Sequence, residues 1–82
     1  MANKASEEDC NLAARLAGDL NIAKYLLDEK SEWRGIVYMQ NTLDANACGR
    51  YMVALENVGV TTCGATIEQR IKAFISAMLK RK

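Results

Sequence analysis

With 82 residues, half of them hydrophobic and 26% charged, the chain has the composition of one globular domain spanning 1–82, and its core can be only marginally large. The net charge of +1 excludes an overall pull toward nucleic acid or anionic lipid, and the composition excludes a disordered chain. No stretch approaches the roughly 18–20 apolar residues of a membrane span, and the N-terminus lacks the basic-then-apolar layout of a signal peptide, so a cytoplasmic protein without membrane association is expected.

The sequence holds no proline, so glycines and capping residues must set the helix boundaries. Ser6 followed by Glu7, Glu8 and Asp9 reads as an N-cap with acids in the first turn. Leu12, Ala13, Leu16 and Ala17 then form an apolar face that Gly18 closes. Asp19 is placed to cap a second helix whose Leu20, Ala23, Leu26 and Leu27 recur at helical spacing, and Ser31 begins the next.

The run Ile36, Val37, Tyr38 and Met39 suits a buried strand as well as a helix. Phase favours helix, because Trp33, Ile36, Gln40, Leu43, Ala47, Tyr51, Ala54 and Val58 continue in steps of three and four across Asn41 and Thr42. One long central helix, about 32–58, or two collinear ones, would produce this, ending at Gly59 in a left-handed cap with Val60 beyond it. After Thr61, Thr62, Cys63 and Gly64, either Thr62 or Thr66 can cap the last helix, Thr66 with Gln69 as a capping box. Ile67, Ile71, Phe74, Ile75 and Met78 supply the apolar stripe of this basic C-terminal helix. The expected fold is all-α, a compact bundle of four to five helices.

Catalysis is hard to assemble from these residues. The chain has no histidine, which removes every triad with an imidazole base and the commonest zinc sites. Cys10, Cys48 and Cys63 are odd in number and widely spaced, which suits reduced thiols packed as small apolar side chains rather than a disulfide framework, a metal knuckle or a redox pair. The five glycines are scattered, so no phosphate-binding loop is present. No enzyme, no cofactor and no metal are expected.

Two binding roles remain. Of the 23 residues from Ile36 to Val58, 14 are apolar and only Asp44, Arg50 and Glu56 are charged. That is more apolar surface than one buried stripe requires, with Tyr38, Met39, Met52 and Val53 on other faces. The helix either forms the centre of the bundle or offers a patch to a partner. In the second case the protein is a non-enzymatic interaction module, a regulator or inhibitor that occupies a partner protein's surface, and it self-associates as a homodimer. Trp33, Tyr38, Tyr51 and Met52 are the interaction candidates, since aromatics and methionine are favoured at interfaces.

The alternative is a helix-turn-helix-like DNA-binding regulator using the 61–82 helix, with Gln69 and Arg70 reading bases and Lys72 holding phosphate. Charge is unevenly spread: −3 from Met1 to Glu32, 0 from Trp33 to Ala65 and +4 from Thr66 to Lys82. Charges at helix ends account for this without any ligand. The interval from Gly59 to Ile67 is also longer than the motif's turn of about three or four residues.

Overall fold

Short polar side chains next to apolar runs decide where each helix starts. The computed structural model describes residues 6–59 and 64–80. Helix α1 (Glu7–Ala17) begins at Ser6, whose hydroxyl accepts from the Asp9 amide at 3.2 Å. It ends at Gly18, where φ is +82°. The Gly18 and Asp19 amides donate back to the Arg15 and Ala14 carbonyls, both at 3.1 Å, in a Schellman closure.

Helix α2 (Asn21–Leu26) follows at once, with the Asp19 carboxylate accepting from the Asn21 amide at 3.0 Å. Its buried residues are Ile22, Ala23 and Leu26, whereas Leu20 and Leu27, expected on that face, are exposed. The entry turn explains the change. Ile22 and Ala23 donate three residues back, to Asp19 and Leu20, and a turn so wound rotates the chain further per residue than an α-helix does.

The segment 33–41 is helical, and the long helix expected over 32–58 is two helices, α3 (Glu32–Asn41) and α4 (Ala45–Asn57). Two side chains interrupt it by bonding to nearby backbone. The Thr42 hydroxyl donates to the Met39 carbonyl at 2.7 Å, and Asp44, extended at ψ 179°, accepts from the Ala47 amide at 2.8 Å as the N-cap of α4. Apolar phase carries through such a break because residues on either side can face the same core. Met39 and Leu55, off the anticipated stripe, are fully buried, while Trp33 and Val58 on it are exposed.

Gly59 takes the left-handed conformation, φ +80°. Val60, Thr61, Thr62 and Cys63 lie outside the described residues, as do Arg81 and Lys82. Helix α5 (Ile67–Leu79) opens with the capping box: Thr66 Oγ1 accepts from the Gln69 amide at 3.1 Å, and Gln69 Oε1 accepts from the Thr66 amide at 2.9 Å.

The described residues form an all-α bundle of five helices whose centre is α5, not the 32–58 segment. Helix α5 packs on α4, α1 and α3, while α2 packs on α3 and α1. The difference lies in the width of the apolar face. Helix α4 buries Ala47, Tyr51 and Leu55, one narrow row at steps of four. Helix α5 buries Ile67, Arg70, Ile71, Ala73, Phe74 and Ala77, wide enough to meet neighbours on several sides. Among the described residues no helix is long and apolar enough to cross a membrane.

Candidate protein-docking groove

The sequence-derived candidates fall on different parts of the molecule. Trp33 and Tyr38 on α3 and Met52 on α4 are exposed, at 52%, 42% and 44%. Tyr51 is buried at 4%, on the core face of α4. Tyr38 leans on Tyr25 of α2 with ring centroids 5.3 Å apart, so its ring is partly spent on holding α2 to α3. Val37, one turn beyond Trp33, is also half exposed and extends the apolar face of α3.

Arg70 is buried, the fate least expected of a C-terminal-helix cation. Its Nε donates to the Ala65 carbonyl at 3.2 Å and its Nη1 to Gln40 Oε1 at 3.3 Å, and its guanidinium lies 5.1 Å from the Trp33 ring centroid. Gln40 Oε1 also accepts the Tyr51 hydroxyl at 2.6 Å. One amide oxygen therefore ties α3, α4 and α5 together. Burial raises the Tyr51 phenol above its ordinary value of 10.0, while the hydrogen bond and charge of Arg70 pull it down.

Of the other nucleic-acid candidates, Gln69 is engaged in the capping box. Lys72 is exposed, 3.3 Å from Glu68 on the preceding turn. The thiols also divide: Cys10 is buried as expected, whereas Cys48 is exposed. Among the described residues no group of three or more acidic or cysteine side chains is placed to hold a metal.

A concave feature lies elsewhere, between α4 and α5. Arg50 spans its two walls: the Arg50 Nε donates 2.9 Å to the Ala77 carbonyl in the last turn of α5. This bond holds the first half of α4 beside the end of α5. Small residues, Ala45 and Gly49 on α4 and Ala73 and Ala77 on α5, leave a half-open groove of about 700 Å³. Val53 and Val58 add aliphatic surface, and both are more than half exposed.

Among the described residues, every charged one lining the groove is basic: Arg50, Lys72 and Lys80. Sequence reading favoured Met52 and passed over Val53 as a site residue. The available signal was the pair of small residues spaced by four on each helix, 45/49 and 73/77, but only the fold shows that the two rows face one groove. Comparison of the chain with protein-family models, with curated proteins and with solved structures finds no match.

Proposed function

We propose that this chain is a non-enzymatic protein-binding module, a regulator or inhibitor that occupies a partner protein's surface, and that the α4–α5 groove is where the partner seats. The supporting observation is the groove itself: aliphatic walls left open to solvent on a small domain. Burying such a surface is worth about 25 cal/mol per Å² of apolar area, a driving force that solvent-exposed Val53 and Val58 hold in reserve.

Self-association belongs to the same reading and uses a different face. Trp33 and Val37 sit one turn apart on α3, half exposed and away from the groove, and a two-fold contact would bring the same patch from each copy together. The DNA-binding alternative has weaker support, because Arg70 and Gln69 are engaged in packing and capping, leaving Lys72 with the phosphate role alone.

The test is affinity capture from the source cell with wild type, Val53→Asp and Trp33→Ala side by side. Capture of a stoichiometric partner by wild type and Trp33→Ala, lost with Val53→Asp at unchanged helicity, is the expected result. Retention of that partner by Val53→Asp removes the groove from the proposal. Salt-sensitive capture of nucleic acid alone would replace it with the DNA reading.

A further inference from the structure

Resting on the docking reading above, we infer that the occupant of the α4–α5 groove is an acidic amphipathic helix of a foreign protein. The inference follows from how charge and apolar surface are arranged around the groove. Its floor is aliphatic, contributed by Val53 and Ala54 from α4 and Ala73 and Ala77 from α5. Lys72 and Lys80 stand two turns apart along α5, with Ser76 between them, and Arg50 stands on α4. Among the described residues no acidic side chain lines the groove.

Helices α4 and α5 are each 13 residues, about 20 Å long at 1.5 Å per residue, which gives an incoming helix a matching length to lie against. An apolar stripe at i, i+3, i+4 and i+7 would cover the floor, and carboxylates flanking that stripe would meet the lysines. Like charges in those positions would be repelled, so the rim selects by sign as well as by attraction. Glu68 pairs with Lys72 from outside the groove.

The competing occupants suit the surface less well. Nucleic acid would bring its phosphates to the lysines but would lay polar backbone over the aliphatic floor, which gains nothing from the apolar surface and leaves polar groups without partners. A second copy of this chain has its most acidic helix in α1, yet the apolar face of α1, Cys10, Ala13 and Ala14, is already buried in its own core. Helix α3 exposes Trp33 and Val37 but carries Glu32 and Arg34 in balance. No described helix of a folded second copy joins free apolar surface to net acid.

The test titrates the full-length ¹⁵N-labelled protein with designed helical peptides of equal length that share one leucine face, flanked by glutamate, glutamine or lysine. The glutamate peptide should bind about tenfold or more tighter than the glutamine one, and the lysine peptide weakest. Amide shifts should centre on Val53, Ala73 and Ser76. Lys72→Glu combined with Lys80→Glu, two exposed changes whose fold is checked by circular dichroism, should invert the order.

Equal binding of all peptides at those amides would overturn the acidic inference and leave the docking reading standing. Absence of groove shifts with any peptide would overturn both. Groove shifts on concentrating the protein alone would identify a second copy as the occupant, and stronger groove shifts with an oligonucleotide would identify nucleic acid. Either outcome would overturn the inference.

Discussion

Arg70 illustrates how one side chain can look functional in sequence and prove structural in space. It sits on a basic helix at a spacing suited to base reading, yet it is 8% exposed and bonded to Ala65 and Gln40. Arg70→Met should cost about 2–4 kcal/mol in urea unfolding, because the Gln40 and Ala65 acceptors lose a charged donor in a buried setting. For a domain of this size that lowers the melting temperature by about 4–8 °C per kcal/mol. A surface arginine serving DNA would leave the melting temperature unchanged. Tyr51 makes a complementary prediction in pH. Its folded phenol holds the proton more tightly than the unfolded one, so its contribution is complete below about pH 10 and is lost as pH rises through the raised folded value. Tyr51→Phe should be about 1 kcal/mol less stable at neutral pH, from the lost bond to Gln40. Urea melts from neutral to strongly alkaline pH should then show the wild-type advantage shrinking above pH 10, and a constant gap would argue against a buried, proton-holding phenol.

Elements meet where side chains are absent as well as where they are present. A methyl group on Gly35 would lie 2.9 Å from Leu26 Cδ2 and 3.0 Å from Tyr25 Cβ, so the close approach of α2 to α3 depends on that glycine. Gly49, in the middle of α4, has no such neighbour within 4 Å. The two glycines should therefore respond oppositely to alanine. Gly35→Ala gains about 1 kcal/mol of helix propensity but must push α2 away, for a net loss of about 1–2 kcal/mol. Gly49→Ala should gain up to about 1 kcal/mol with nothing displaced, and thermal melts of the two variants give the comparison directly. The boundaries of α1 were legible beforehand because Ser6 and Gly18 act within one turn of where they stand, whereas the start of α5 was open between Thr62 and Thr66 until the capping box with Gln69 placed it at Thr66. The Thr42–Asp44 break was not legible, since the apolar phase runs through it and only the two side-chain bonds reveal the interruption.

For the whole molecule, the open question is what covers the surface the bundle leaves apolar. Self-association through α3 predicts that light scattering finds a dimer and that Val37→Glu returns it to monomer with helicity intact. Met52→Glu, on the flank of α4, should leave the dimer in place if α3 alone forms the contact, and should split it if the interface runs on across Met52. A concentration-independent monomer in the wild type would end the self-association reading while leaving the groove available to a foreign helix.

The sequence by itself determined the helical class, the caps of α1, the start of α5 to within Thr62 or Thr66, and the absence of imidazole chemistry, because these depend on residue type or on contacts spanning a few positions. Only the tertiary structure decided that α5 is the centre, that Arg70 and Tyr51 lie inside, and that two rows of small residues face one basic-rimmed groove. These rest on contacts between distant segments: Arg50 with Ala77 across 27 positions, and Gln40 with Arg70 across 30. Helical periodicity tells which residues share a face of a helix. Which face a neighbour covers is set by packing all five helices at once, and the surface left uncovered by that packing is where the proposed function lies.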